Sequence, residues 1–208
     1  MTERLKGISG SMFAGKTEEL ITEVTRAEIA KRNVLVFKPR LDNRWGKTDV
    51  IRSHSGSEHP AFPINDPKEI LNIVGEHLNT LGKIDMIAID EIQFMPDSII
   101  DVIQVLLEAD IHVVFAGLAQ DFRGEPFGPM PTLLALCDEI DKPTAICTEE
   151  IDGKTCGAPA TKTQRIINGQ PANYADPIVL VGGEDEGYHA RCPDHHKVPG
   201  KPTPKTKL

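Results

Sequence analysis

Residues Gly10-Ser11-Met12-Phe13-Ala14-Gly15-Lys16-Thr17 spell G-x-x-x-x-G-K-T, and this octapeptide commits the chain to one local architecture. Its two glycines let the backbone bend until several N–H groups point at one anion. The Lys16 ammonium adds a point charge for outer phosphates, and the Thr17 hydroxyl is placed to ligate a divalent cation. Such a loop works between a strand and a helix N-terminus. Both flanks fit: an apolar run at residues 5–8 precedes it, and Leu20, Ile21, Val24 and Ala27 follow at helical spacing.

Downstream, strand and helix patterns alternate. Residues 33–37 (NVLVF) read as a short strand ended by Pro39. Residues 67–81 put Ile70, Leu71, Val74 and Leu78 on one helical face, with Asp66 as N-cap and Pro67 at the first helical position. Residues 84–89 (IDMIAI) read as a strand. A helix over 97–109 follows, with Ile99, Ile100, Ile103, Leu106 and Leu107 turned inward. A strand over 111–116, ended by Gly117, and a short helix over 131–137 complete the series. This order predicts an α/β fold, a P-loop (RecA-like) parallel sheet with crossover helices, with the phosphate site at the carboxyl ends of the strands. Residues 38–63 lack periodicity and are long for an inert connection, which predicts a functional or mobile loop.

The 208 residues suffice for one domain and an appendage, and 39% hydrophobic with 26% charged residues fits a soluble globular chain. The net charge of −8 argues against a nucleic-acid surface. No apolar run reaches membrane-spanning length, and residues 1–7 lack the apolar stretch of a signal peptide. A cytoplasmic location is the expectation, and the four cysteines then read as thiols or metal ligands before disulfides.

Two further constellations carry chemistry. Met86-Ile87-Ala88-Ile89-Asp90-Glu91 is an apolar strand ending in two acids. Asp90 suits Mg²⁺ held beside a phosphate loop, and Glu91 suits a base that takes a proton from an attacking hydroxyl or water. Near the C-terminus, Cys147, Cys156, Cys192 and His195 form two pairs. Cys192-Pro193-Asp194-His195 has the tight spacing of a metal knuckle, and His196 is the rival ligand. The Cys147-x₈-Cys156 spacing is wide, but Asp152-Gly153 is a hairpin signal. A looped-out finger returns Cys156 beside Cys147, and three thiolates with one imidazole suit structural Zn²⁺. The alternative is four unrelated reduced residues. Cys137 reads as a buried small apolar residue. The expected organisation is a P-loop nucleotide-binding domain over 1–142 and a zinc-ribbon-like domain over 143–196. A disordered tail over 197–208 follows, with four Lys, three Pro and no core residue.

From residues 6 to 196 the chain resembles the type II thymidine kinases, the zinc-containing tetrameric group. The resemblance rests on Gly10 to Thr17, Ile89-Asp-Glu-Ile-Gln-Phe94, Gly117-Leu-Ala-Gln-Asp-Phe-Arg-Gly-Glu-Pro-Phe-Gly128, Thr163-Gln-Arg165, Gly182-Gly183…Tyr188 and Arg191-Cys192. It implies transfer of the γ-phosphate of ATP to the 5′-hydroxyl of thymidine, and of deoxyuridine. Glu91 would be the general base. Residues 10–17 with Asp90 and Gln93 would hold ATP and Mg²⁺. Met12, Phe94, Leu118, Phe122 and Thr163 would wall the thymine pocket, and Tyr188 would belong to a lasso loop that closes over the base and is anchored by the zinc site. It also implies a homotetramer, feedback inhibition by dTTP, and a place in DNA-precursor salvage. The chain departs from the family pattern at the long Cys147–Cys156 spacing. It has one extra residue between Gly183 and Tyr188, and Ser55 stands after His54 where animal relatives carry an acid. Arg123 and Arg165 match motif positions, with loop positioning as their plain role. The competing readings are an ATP-hydrolysing machine with Glu91 activating water and a zinc-ribbon nucleic-acid binder.

Overall fold

The structure, a computed structural model, describes residues 4–42, 49–178 and 186–203. Strand β1 (Leu5–Ser9) enters the glycine-rich loop and helix α1 (Lys16–Ile29) leaves it. Strand β2 (Val34–Pro39) leads to a hairpin of β3 (Val50–Arg52) and β4 (Glu58–Pro60), then to β5 (Phe62–Ile64) and α2 (Lys68–Leu81). Strand β6 (Met86–Ile89), α3 (Ile99–Glu108), β7 (His112–Gly117), α4 (Met130–Leu136) and β8 (Glu139–Asp141) complete the first part. Six strands in the order β5-β2-β6-β7-β1-β8 make one parallel sheet. Strand β7 lies between β1 and β6, so the loop-bearing and acid-bearing strands are roughly 9–10 Å apart, two interstrand steps.

The central strands read as unbroken apolar runs because both of their faces are covered. Met86, Ala88, Val114 and Ala116 pack with Leu20, Ile21, Val24 and Ala27 of α1. Their alternates Ile87, Ile89, Val113 and Phe115 pack with Ile70 and Val74 of α2, Ile99, Val102, Ile103 and Leu106 of α3, and Met130 and Leu133 of α4. Asp66 caps α2 as the sequence implies, accepting the Lys68 N–H at 2.9 Å, while Glu69 reaches back to the Asp66 N–H at 2.9 Å. Observed boundaries fall within about two residues of the expected ones.

The stretch expected as one loop over 38–63 is partly regular: it holds the β3–β4 hairpin and the edge strand β5. Residues 43–48 lie outside the described residues. The edge strands β5 and β8 had no counterpart in the sequence reading, because three residues are too few to show a period of two.

After Pro143, β9 (Ala145–Ile146), β10 (Glu150–Ile151), β11 (Lys154–Thr155) and β12 (Pro159–Ala160) form nested pairs, β9 with β12 and β10 with β11. Strands β13 (Lys162–Ile167), β14 (Gln170–Pro171) and β15 (Glu186–Arg191) make an antiparallel sheet in the order β14-β13-β15. Three bonds involve the first residues of the stretch expected as a tail. Lys197 donates its N–H to the buried Gln164 Oε1 at 2.8 Å, Pro199 accepts from Tyr174 at 2.8 Å, and Lys201 pairs with Glu125 at 3.0 Å. Lysine-rich composition hides these bonds, because each partner lies far away in sequence. Among the described residues no helix is long and apolar enough to cross a membrane.

Candidate active site and metal centre

The glycine-rich loop turns through two left-handed residues, Phe13 (φ 66) and Gly15 (φ 83). Gly15 is there for its φ, but Gly10 is there for space: a Cβ on it would sit 2.5 Å from the Pro143 carbonyl oxygen. Lys16 is buried and donates to the Ser11 carbonyl at 2.9 Å. The Thr17 hydroxyl donates to Asp90 Oδ2 at 3.0 Å, closing the gap between α1 and the end of β6. These two oxygens, one hydroxyl and one carboxylate, suit a hard divalent cation.

Asp90 and Glu91 are both buried. Glu91 is a left-handed non-glycine residue (φ 49, ψ 38), which turns the chain as β6 ends and sends the two neighbouring carboxylates to different partners. Asp90 faces Thr17 and also accepts the Glu91 N–H at 3.0 Å. Glu91 Oε2 accepts from Gln93 Nε2. Gln93 is buried, and its Oε1 accepts the Leu118 N–H at 3.0 Å. Gln93 thus bonds through both ends of its amide, to Glu91 and to the Leu118 backbone.

The residues expected around a nucleoside are partly brought together. Thr163 on β13 accepts the Met12 N–H at 3.0 Å, so loop and wall are directly bonded. Leu118 and Phe122 are buried on the segment after β7. Phe94 meets Phe127 edge-on at 5.5 Å. Tyr188 is half-buried on β15, directly opposite Arg165, as Ala190 is opposite Thr163. Of the stretch expected as the lasso, residues 179–185 lie outside the described residues. A cleft of about 380 Å³ between the loop and β13 is lined by Ser9, Gly10, Ser11, Gln120, Lys162 and Thr163, among others. Of the expected wall residues only Thr163 borders it.

Both candidate arginines position loops. Arg165 is fully buried, lies 5.5 Å from the Phe122 ring centroid and donates to the Pro177 carbonyl. Arg123 donates Nε to Asp121 Oδ2 at 2.8 Å and lies 5.1 Å from the Tyr174 ring centroid. Asp121 was missed in the sequence. It is buried and also accepts the N–H groups of Arg123 and Glu125, fixing the segment that carries Leu118 and Phe122. Its signal was available: Asp121 with Gly124 three residues on is a turn pattern. Also missed was the docking of the β3–β4 hairpin on the loop. Hydroxyls of Ser55 and Ser57 donate to Glu18 of α1, His54 lies 4.8 Å from the Phe13 ring, and the serine hydroxyls, Ser55 foremost, hold the Glu18 carboxyl below its usual range.

The Asp152-Gly153 finger forms as predicted, with both residues left-handed (φ 49 and 73). It returns the chain so that the Gly157 N–H reaches the Cys147 carbonyl at 3.1 Å. The ligand atoms of Cys147, Cys156, Cys192 and His195 all lie within 4.8 Å of one another. His195 Nδ1 is 3.6 Å from Cys147 Sγ and 3.2 Å from Cys192 Sγ, close to the roughly 3.6 Å sulfur–nitrogen edge of a tetrahedral zinc site. His196 is otherwise engaged, with Nε2 2.8 Å from the Phe122 carbonyl oxygen. Burial disfavours the Cys147 thiolate, but backbone N–H groups of Cys192 and Glu149 and the His195 imidazole outweigh it and bring the thiol to about 6. Cys137 stands apart: half-buried, it donates to the Leu133 carbonyl at 3.2 Å, and burial with Asp138 nearby pushes its thiol up to about 12.

A parallel sheet with a phosphate loop on one strand, two buried acids on another and a Cys₃His cluster packed against the loop defines a protein of the P-loop class with a unit that could hold a metal. A sequence profile described as thymidine kinase matches residues 3–196. A curated thymidine kinase from Coprothermobacter proteolyticus is 50% identical over 197 residues, covering 95% of this chain and 92% of the relative. The chain belongs to the thymidine kinase family.

Proposed function

We propose that the chain transfers the γ-phosphoryl group of ATP to the 5′-hydroxyl of thymidine, with deoxyuridine as a second acceptor. The observation that carries the chemistry is the buried Glu91 beside the Thr17–Asp90 bridge. Glu91 takes the 5′-hydroxyl proton as the 5′-oxygen bonds to the γ-phosphorus; the bond from that phosphorus to the β,γ-bridging oxygen breaks and ADP leaves. The loop amides over 10–17 and Lys16 hold the phosphates. Thr17 and Asp90 would hold Mg²⁺, which when bound neutralises charge on the phosphates. Met12, Phe94, Leu118, Phe122, Thr163 and Tyr188 surround the thymine.

Cys147, Cys156, Cys192 and His195 would hold Zn²⁺ with no open position, so the ion is structural. These residues would tie the β9–β12 pair to the end of β15, the strand on which Tyr188 sits. Family membership supports the remaining parts of the reading: a cytoplasmic homotetramer in DNA-precursor salvage, inhibited by dTTP. The test is product analysis by mass spectrometry across a panel of nucleosides with ATP. Thymidine 5′-phosphate is the expected main product; a purine deoxynucleotide as main product would overturn the substrate assignment.

A further inference from the structure

Gln93 is a buried polar side chain beside the acids. Its amide orientation is set at both ends: the NH₂ faces the Glu91 carboxylate, an acceptor, and the oxygen faces the Leu118 N–H, a donor. A flipped amide would lose both bonds and set like poles together. The glycines that bound the segment 117–128 make room for this residue. A Cβ on Gly117 would lie 2.7 Å from Gln93 Oε1, and one on Gly128 would lie 2.3 Å from the Gln93 carbonyl oxygen. Gln93 therefore ties the Glu91 carboxylate to the backbone of the segment that carries Leu118 and Phe122.

We infer that Gln93 is a positioning residue for the transfer step: it aims Glu91 relative to the nucleoside wall. This rests on Glu91 being the base. A carboxylate released from this tether leaves its working geometry, and a displacement of about 1 Å at a reacting group costs up to about 10²-fold in rate.

The experiment uses Gln93→Leu, which removes both bonds, and Gln93→Glu, which keeps an acceptor for Leu118 but sets a second carboxylate against Glu91. Each is measured alone and combined with Glu91→Gln. Either single variant should lower kcat by about 10–100-fold. In the Glu91→Gln background neither should lower kcat further, because the group each acts through is already gone. Where Gln93→Leu lowers the melting temperature below the assay range, Gln93→Glu carries the comparison. Unchanged kcat in the single variants, a loss confined to KM, or additive losses in the double variants would overturn the inference while leaving Glu91 as base. Normal turnover by Glu91→Gln alone would instead overturn the reading of Glu91.

Discussion

At the scale of single residues, one buried acid and one histidine decide most. Glu91→Gln keeps shape but not basicity, so turnover should fall by about 10²–10⁴ while thymidine affinity, measured by calorimetry, stays near the native value. A variant that turns over normally removes Glu91 from the mechanism. Spacing favoured His195 as the ligand and left His196 as its rival. The bond from His196 to the Phe122 carbonyl separates them, so metal analysis should find zinc lost in His195→Ala and retained at one per chain in His196→Ala. Asp90 and Glu91 were legible because two acids after an apolar strand have few structural uses. The burial of Gln93 and its bonds to Glu91 and the Leu118 backbone were not, since the partners of an amide show only in the fold. Gly10 was legible for the wrong reason: it yields space to Pro143, a neighbour 133 positions away.

Among the elements, legibility followed burial. The strands β1, β2, β6 and β7 are covered on both faces and showed as apolar runs, whereas the three-residue edges β5 and β8 left no pattern. The β10–β11 finger was readable from its turn, and its exposed strands carry none of the cysteine cluster. Deleting residues 150–155 leaves Cys147-Thr148-Glu149-Cys156 and keeps Glu149 for its 2.9 Å pair with Arg191. The shortened protein should still bind one zinc per chain; loss of the metal would show that the finger itself builds the site. The segment 117–128 is less forgiving. Gly128 has φ 50 and no room for a Cβ, so Gly128→Ala should cost about 1–3 kcal/mol in denaturant unfolding, and an unchanged midpoint would mean the contact with Gln93 relaxes freely.

For the molecule as a whole, the division expected at Pro143 does not separate the chemistry. The Ser11 hydroxyl donates to the Ala160 carbonyl at 2.8 Å, the Met12 N–H reaches Thr163, and Ala14 packs on Cys147, Ala160, Ala190 and Cys192. The cysteine-bearing unit thus forms one side of the phosphate loop, a relation that no local spacing encodes because its partners lie some 150 positions apart. Stripping the metal with a chelator should therefore lower Tm and raise the KM for ATP as well as for thymidine. An unchanged KM for ATP in the stripped protein would mean that the loop holds its form alone. The central claim is that the loop, the Asp90–Glu91 pair and the thymine wall form one transfer site, with thymidine as the acceptor. It is tested most directly by ADP release from the wild-type protein with and without thymidine. The account predicts almost no release until thymidine is added and one ADP per thymidine 5′-phosphate thereafter; an equal rate without thymidine would contradict it.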